Sequence, residues 1–183
     1  MPESVVLSTT VNGALVRREV RARTLLSDFL RDDLGLTGTK VSCDAQVCGT
    51  CTVLVDGLPV SACSFLAADT EGRAVTTIEG LADGDELSPV QRAFTECSAM
   101  QCGFCTPGFV LAAEALLSDV PDPSEAEIRH ALDGNLCRCT GYRPIMAAVR
   151  LAARLRREAP RSDTPPGKTS LTKTSLTKTE VPR

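Results

Sequence analysis

The sequence predicts an α+β fold, in which a small mixed β-sheet is followed by a half made of helices. Two pairs of strand-like segments surround Asn-Gly and Asp-Gly dipeptides, and the composition changes to helix-forming residues after Gly80. The chain has 183 residues, of which 43% are apolar, so it can bury the cores of two small domains. It is too short for a large enzyme that acts alone.

The strands of the predicted sheet come first. Residues 3–9 and 14–20 flank an Asn-Gly dipeptide, whose tolerance of positive φ suits a two-residue hairpin turn. Residues 52–60 are a second predicted pair around an Asp-Gly turn, and residues 74–78 are a predicted closing strand. One helix and a cysteine-bearing loop interrupt these segments, and this order predicts a mixed sheet with one helix across it.

The single helix of this first half is predicted at residues 25–34, where leucine and phenylalanine recur at helical spacing. Thr24 is its predicted N-cap, and Gly35 is its predicted stop. Residues 35–51 then form a turn-rich loop that carries three cysteines.

Each of four later helices begins at a capping or proline signal. Serine or threonine precedes proline at two of the starts, and Ser124 opens a capping box with Glu127. Helices of this length predict a compact bundle. The predicted starts are Ser88-Pro89, Thr106-Pro107, Ser124 and Pro144.

The composition divides the chain into three predicted segments, residues 1–79, 80–158 and 159–183. The last segment repeats Lys-Thr-Ser-Leu-Thr and has few apolar residues, so burial cannot offset the entropy lost on ordering it. We therefore predict a disordered tail there rather than an ordered docking arm.

Charge and aromatic content exclude several classes of partner. The net charge is −3, only 3% of residues are aromatic and tryptophan is absent, which argues against binding to nucleic acid. No run of about 20 apolar residues and no basic region followed by an apolar one is found, so neither a membrane span nor a signal peptide is predicted. The cytoplasm is the expected location, where reducing conditions favour metal ligation over disulfides for the nine cysteines.

Eight of the nine cysteines fall into two quartets with different spacing. The first quartet follows the plant-type pattern of 2Fe–2S ligation, in which a tight loop supplies three thiolates and a later strand supplies the fourth. Backbone N–H groups of such a loop can point at the negatively charged sulfurs. The first quartet is Cys43, Cys48, Cys51 and Cys63.

The second quartet consists of two short pairs at opposite ends of a predicted helical hairpin. Each pair lies just before a helix that opens with proline, so the positive ends of both helices can face a shared centre. Two adjacent 2Fe–2S clusters are the favoured interpretation, and structural zinc, which also takes four thiolates, is the alternative. The second quartet is Cys102, Cys105, Cys137 and Cys139.

Four stretches around these cysteines resemble a known family. They are residues 38–40 (Gly-Thr-Lys), 48–53 (Cys-Gly-Thr-Cys-Thr-Val), 101–108 (Gln-Cys-Gly-Phe-Cys-Thr-Pro-Gly) and 134–142 (Gly-Asn-Leu-Cys-Arg-Cys-Thr-Gly-Tyr). Together they resemble the small iron–sulfur subunit of molybdenum hydroxylases, which include xanthine dehydrogenase, aldehyde oxidoreductase and the aerobic carbon monoxide dehydrogenases. The resemblance covers residues 3–157.

The resemblance implies an N-terminal β-grasp ferredoxin-like domain and a C-terminal four-helix-bundle domain, with one 2Fe–2S cluster in each. The second quartet would hold an inner cluster near a molybdenum pterin (molybdopterin) on a large partner subunit, with Gln101 and Cys139 approaching the pterin. The first quartet would hold an outer cluster that faces FAD on a medium-sized partner subunit. A heterotrimer, or a dimer of heterotrimers, is the implied assembly.

The implied function is electron transfer within an oxidoreductase. Substrate hydroxylation releases two electrons at molybdenum, and two clusters in series let them leave one at a time toward FAD. The bond-breaking residues are expected on a partner chain, and no catalytic residue is assigned here. A stand-alone ferredoxin-type carrier and a zinc-stabilised binding module are the alternatives.

The first cysteine loop departs from the family pattern at two positions. Relatives often have Gly-Cys-x-x-Gly-x-Cys, whereas Ser42 precedes Cys43 in this chain and Gln46 stands at the second glycine position. We expect this difference to affect the backbone path of the loop and the potential of the cluster, not the identity of the ligands.

The remaining reactive side chains are predicted to be structural. Cys97 falls on an apolar stripe of the helix that starts after Ser88, which predicts a buried, inert thiol. His130, the single histidine, is predicted to be a surface or structurally satisfied residue. The stripe is Val90, Phe94, Cys97 and Met100.

Overall fold

Five strands form one mixed sheet in the first half of the chain. The computed structural model describes residues 3–158, and the predicted tail at 159–183 lies outside the described residues. The strands are β1 (Ser4–Val11), β2 (Ala14–Arg21), β3 (Thr52–Val55), β4 (Leu58–Ser61) and β5 (Ala74–Thr76). Their order is β2-β1-β5-β3-β4, in which β1 is parallel to β5 and the other neighbours are antiparallel. The predicted α+β class with a mixed sheet is confirmed.

Both predicted hairpins are confirmed, and their turn residues have the expected positive φ. Asn12 and Gly13 have φ angles of 49° and 80°, and Asp56 and Gly57 have φ angles of 50° and 81°. Positive φ at both central residues is the signature of a type I′ turn, whose twist matches that of the flanking strands.

The short helix after the first hairpin is confirmed, but its predicted N-cap is wrong. Helix α1 spans Leu26–Asp28 and continues as a wide π-helical turn at Phe29–Asp33. Leu25 occupies the N-cap position and makes no side-chain cap bond. The Thr24 carbonyl instead accepts from the Ala67 N–H at 2.8 Å, because a later loop pairs with this segment.

Four longer helices follow the sheet in the described part of the chain, and all of them begin where the sequence predicts. Ser88 and Ser124 are N-caps within capping boxes, and their hydroxyls accept from the backbone N–H groups of Gln91 and Glu127 at 3.3 Å. The helices are α2 (Pro89–Glu96), α3 (Thr106–Asp119), α4 (Glu125–Leu132) and α5 (Arg143–Glu158).

Helix α2 ends earlier than its apolar stripe predicts. Ser98 has a φ of 51°, in the left-handed region that commonly terminates helices. Met100 therefore lies beyond the helix and is 38% exposed, so its predicted place on the stripe is wrong. Val90 and Phe94 are buried, as expected, and Cys97 is half-buried against the helical core.

Two apolar cores lie side by side in the described chain. Phe29 of the first helical segment packs with sheet residues such as Val53, and Phe94 and Phe109 are central to the core that the four later helices share. Helix α3 packs against β3 and so connects the two cores. Within residues 3–158, no helix is both long and apolar enough to cross a membrane.

Candidate metal centres

The first quartet gathers where the loop before β3 meets the turn after β4. Cys51 immediately precedes β3, and Cys63 lies in a 3₁₀ turn just after β4. The antiparallel pairing of these strands continues to a bond of 3.2 Å from the Ala62 N–H to the Cys51 carbonyl. This register brings Cys51 and Cys63 together in the sheet core, where both are buried.

The other two members of the first quartet lie in the loop and are more accessible. Three backbone N–H groups, from Cys48, Val47 and Ala45, donate to the Cys43 Sγ atom at 3.4 Å each. These bonds stabilise the thiolate and lower the pKa of Cys43 to about 6. The loop therefore presents this sulfur in the charged form that metals bind.

Cys51 has the opposite environment. Burial raises the pKa of its thiol to about 11, and Cys63 is close enough for the two thiols to interact. A buried thiol of this kind stays protonated until a metal displaces its proton. Cys51 and Cys63 therefore form the protected pair of the quartet, and Cys43 and Cys48 form the accessible pair.

The loop keeps a left-handed residue at the position where the family pattern has glycine. Gln46 has a φ of 56°, which glycine adopts without strain and glutamine adopts at a cost. Asp44 is also left-handed, with a φ of 52°, and aspartate tolerates that region better than most residues.

The second quartet lies where the N-termini of two helices approach each other. Cys105 is the N-cap of α3, and Cys102 lies in the turn before it. Cys137 and Cys139 lie in the loop that leads into α5. Both helices carry proline in their first turn, as predicted, and the cysteines precede the positive ends of their dipoles.

The sulfurs of the second quartet are arranged in pairs. The Sγ atoms of Cys102 and Cys139 are 3.6 Å apart. A tetrahedral metal with bonds of about 2.3 Å to sulfur holds its sulfurs about 3.8 Å apart, so the observed separation is compatible with two ligands of one metal ion. The thiols of Cys105 and Cys137 interact directly and form the other pair.

The two pairs differ in exposure. Cys102 and Cys139 are exposed, whereas Cys105 and Cys137 are half-buried. Burial raises the pKa of Cys105 to about 12, while the backbone N–H of Phe104 and the neighbouring Cys139 thiol lower the pKa of Cys102. The second quartet therefore has one side that faces the surface and one that faces the helical core.

A short loop folds back on the Cys137 sulfur. The Thr140 hydroxyl lies 3.0 Å from the Cys137 Sγ atom, and the Thr140 N–H donates to the same sulfur at 3.4 Å. The Cys137 N–H donates to the Tyr142 hydroxyl oxygen at 3.0 Å. Burial raises the pKa of Cys137, but the hydrogen bonds to its sulfur, from Thr140, the Cys139 N–H and the Cys105 thiol, together outweigh burial and lower the pKa.

Direct hydrogen bonds join the two cysteine loops. The Leu136 N–H donates to the Cys48 carbonyl at 2.9 Å, and the buried Asn135 side-chain amide donates to the Gly49 carbonyl at 2.8 Å. Because Leu136 precedes Cys137, the first of these bonds connects candidate ligands of the two quartets through the backbone.

Glycine is required where these loops cross. A Cβ atom at Gly49 would lie 2.2 Å from the Gly134 carbonyl oxygen, and one at Gly108 would lie 2.3 Å from the Gly49 carbonyl oxygen. Both distances are far below van der Waals contact. Gly49 also has a φ of 66°, so any other residue at this position is strained by its backbone conformation as well as by lack of space.

The donor set fits a pair of 2Fe–2S clusters. Each cluster needs four thiolates, two on each iron, and eight of the nine free cysteines form two groups made of close pairs. Within residues 3–158, no three or more His, Cys, Asp or Glu side chains are grouped to hold a single metal ion. Ligands that are divided between two irons do not need such a group.

Of the other residues discussed in the sequence analysis, one lies beside the second quartet and two belong to neither quartet. Gln101 is exposed and adjacent to Cys102, on the surface side of the second quartet. His130 is exposed on α4, and Cys97 packs against the helical core instead of joining either quartet.

Sequence reasoning missed three residues that support the centres. Asn135, Thr140 and Tyr142 make the hydrogen bonds described above, yet no individual role was predicted for any of them. The one available signal was their position within the motif at 134–142.

Family models match both halves of the chain. Residues 9–82 match the 2Fe-2S iron-sulfur cluster binding domain, and residues 77–150 match a second 2Fe-2S binding domain. The fold and the two quartets thus define an iron–sulfur protein with two 2Fe–2S-binding domains.

Similar proteins show which kind of iron–sulfur protein this chain is. The chain is 49% identical over 150 residues to the gamma subunit of caffeine dehydrogenase from Pseudomonas sp. (strain CBB1), across 80% of this chain and 90% of that one. It is 44% identical over 149 residues to the xanthine dehydrogenase iron-sulfur-binding subunit of Escherichia coli O157:H7, across 80% and 93%. Quinoline 2-oxidoreductase from Pseudomonas putida 86 matches with a TM-score of 0.81 and 42% identity, across 86% of this chain and 99% of that one. The chain belongs to the family of small iron–sulfur subunits of molybdenum hydroxylases, as its motifs indicated.

Proposed function

We propose that this protein is the electron-transfer subunit of a molybdenum hydroxylase complex, an oxidoreductase whose bond-breaking residues lie on a larger partner chain. The observation that carries the proposal is the pair of thiolate quartets held side by side, with the Leu136 N–H bonded to the Cys48 carbonyl between them. Each 2Fe–2S cluster, when bound, accepts and releases one electron at a time. The chain's own contribution is to fix the distance and to set the environment of the two sites.

Each quartet is proposed to hold one cluster. The first quartet would hold the outer cluster, and the second would hold the inner cluster. The outer ligands are Cys43, Cys48, Cys51 and Cys63, and the inner ligands are Cys102, Cys105, Cys137 and Cys139.

The exposed side of the second quartet is the proposed contact with a large molybdopterin-binding subunit. Cys139 and Gln101 lie on this side and are proposed to approach the pterin, where an amide can both donate and accept. Phe104 and Leu136, which precede Cys105 and Cys137 in the sequence, are 47% and 50% exposed and support an apolar subunit contact near this quartet.

The accessible loop of the first quartet is the proposed contact with a medium-sized, FAD-binding subunit. Val47 in this loop is 64% exposed, beside the half-buried Cys48. The proposed assembly is a heterotrimer of this chain with these two partner subunits, or a dimer of that heterotrimer. Its proposed location is the cytoplasm.

The domain boundaries of the chain are proposed at residues 79 and 158. The separate sheet core supports a β-grasp, ferredoxin-like domain at 1–79, and the single core shared by α2, α3, α4 and α5 supports a four-helix bundle at 80–158.

Metal and sulfide analysis of the anaerobically purified chain, with EPR after reduction by dithionite, tests the proposal. We expect about four iron atoms and four acid-labile sulfides per chain, from two clusters of two, and two distinguishable S = 1/2 signals. Zinc near stoichiometry with no sulfide would overturn the proposal and favour a zinc-stabilised module. Purification without large and flavin-containing partners would favour a stand-alone electron carrier.

Cysteine variants test the ligand assignment. Cys102→Ser is expected to remove the reducible inner centre and its EPR signal, because it deletes one of four thiolates. Cys97→Ser is the matched control, since Cys97 packs against the helical core, and its spectra should equal those of the unsubstituted protein. A cluster lost in the Cys97 variant would show that the ligand set is wrong.

A further inference from the structure

The Thr140 hydroxyl lies beside the Cys137 sulfur and makes a second hydrogen bond within the same loop. The Tyr142 N–H donates to the Thr140 Oγ1 atom at 3.3 Å, so this oxygen already accepts one bond. Its own proton is then free to point at the Cys137 Sγ atom, 3.0 Å away. A cysteine bound to iron has no thiol proton, and therefore the hydroxyl must be the donor of this contact.

The surrounding loop keeps this geometry in place. Tyr142 has a φ of 67°, and its hydroxyl oxygen accepts from the Cys137 N–H at 3.0 Å. This bond joins the two ends of the loop at 137–142. The Tyr142 ring packs edge-on against the buried Phe109, with ring centroids 6.1 Å apart. The Cys137 N–H therefore does not donate to its own sulfur, and Thr140 contributes a hydroxyl and an N–H to that sulfur.

This contact distinguishes the two quartets. In the first quartet, three backbone N–H groups donate to the Cys43 sulfur, and no side-chain hydroxyl of the described residues does so. Among the described residues, Cys137 is the one candidate ligand whose sulfur is hydrogen-bonded to a side-chain hydroxyl. A substitution at position 140 can therefore change the environment of one centre and leave the other unchanged.

We infer that Thr140 is a positioning residue that raises the reduction potential of the inner cluster by donating its hydroxyl proton to the Cys137 sulfur. The inference rests on the proposed function, because it requires Cys137 to be a cluster ligand. Reduction adds one negative charge to the cluster and its thiolates, and a hydrogen bond to a ligand sulfur stabilises that added charge. The reduced form therefore gains more from Thr140 than the oxidised form does.

Thr140→Val is the direct test, because valine keeps the branched shape and the backbone N–H but removes the hydroxyl. The full chain, purified with the subunits that accompany it, would be titrated with reductant while both EPR signals are recorded. We expect the reduced-to-oxidised ratio of the inner cluster to fall about tenfold at a fixed potential, a shift of about 59 mV for one electron. Thr140→Ser, which restores the hydroxyl, should return the midpoint to that of the unsubstituted protein.

The outer cluster is the internal control, and its midpoint should be the same in all three proteins. Equal inner-cluster midpoints in the valine and unsubstituted proteins would overturn the inference alone. An unsubstituted protein without an inner cluster would overturn the proposed function instead. If the valine variant fails to assemble the inner cluster, Thr140→Ala provides the same measurement, and loss of that cluster in both variants would show a structural role and contradict the inference.

Discussion

Gln46 holds a backbone conformation that suits glycine. Its φ of 56° costs a residue with a side chain about 1–2 kcal/mol. The next two backbone N–H groups, of Val47 and Cys48, both donate to the Cys43 sulfur. The strain therefore lies in a segment whose path is fixed by the need to surround a ligand sulfur with donors.

Gln46→Gly is expected to stabilise the loaded protein by about 0.5–1 kcal/mol. Relief of the strained φ exceeds the entropy that glycine adds to the unfolded chain. Thermal unfolding followed by circular dichroism should show the apparent Tm rise by about 1–4 °C. Ala45→Gly is the matched control, because Ala45 has no positive φ, and glycine there should lower the Tm. A lower Tm for Gln46→Gly would contradict the role given to its backbone.

Residues that support the ligands were harder to predict than the ligands themselves. The first thiolate set was predicted from the intervals of plant-type ligation, and the second from two short cysteine pairs that each precede a helix opening with proline. Asn135 bonds to a carbonyl 86 positions away, at Gly49, and no local pattern contains that partner. Thr140 lies three positions from Cys137, but its hydroxyl reaches the sulfur only because Tyr142 turns the loop back.

Elements were predicted correctly where local hydrogen bonds decide the conformation. The capping boxes at Ser88 and Ser124 satisfy the first N–H groups of their own helices, so the signal and the structure share the same residues. Thr24 failed as a cap because the Leu26 N–H donates to the Phe65 carbonyl at 2.7 Å, a tertiary bond that replaces the cap. A sequence pattern does not contain such a partner.

Three helices of the second half meet at one buried carboxylate. Glu114 on α3 is 7% exposed, and it forms an ion pair with Arg156 on α5. Its Oε1 atom also accepts from the hydroxyl of Ser88, the N-cap of α2, at 3.1 Å. Burial lowers the pKa of Arg156, which shows that desolvation of the guanidinium is part of the cost of this arrangement.

Glu114→Ala is expected to destabilise the helical half by about 3 kcal/mol, because Arg156 would stay largely buried without a counter-ion. The apparent Tm should fall by about 6–12 °C. Glu96→Ala is the matched control, since it removes an exposed pair with Arg92 and should cost no more than about 0.5 kcal/mol. The double variant Glu114→Leu/Arg156→Met should recover most of the loss, and a double variant as unstable as Glu114→Ala would contradict the assignment.

At the scale of the whole molecule, the sequence predicted two centres but not how they face each other. Turn and capping signals predicted the order of strands, cysteine loop and helices. They did not predict the contact between the two cysteine loops, which depends on a close approach of their backbones. Gly49 and Gly108 both lie at that contact, and sequence alone does not distinguish them from glycines that only form turns. The hydrogen bond from the Leu136 N–H to the Cys48 carbonyl could not be predicted from the sequence either, because it joins two backbone groups and depends on no particular side chain.

Gly49→Ala is therefore expected to separate the two centres without removing a ligand. Its Cβ would lie 2.2 Å from the Gly134 carbonyl oxygen, so one loop must move and the bond from Asn135 must lengthen or break. In the fully reduced protein, EPR should show a weaker magnetic interaction between the two S = 1/2 centres, at unchanged iron content. Gly57→Ala is the control, because Gly57 has a similar φ of 81° and open space around its Cβ, so it should cost about 1–2 kcal/mol and leave the interaction unchanged. Equal magnetic interaction in both variants would mean that this junction does not set the distance between the clusters.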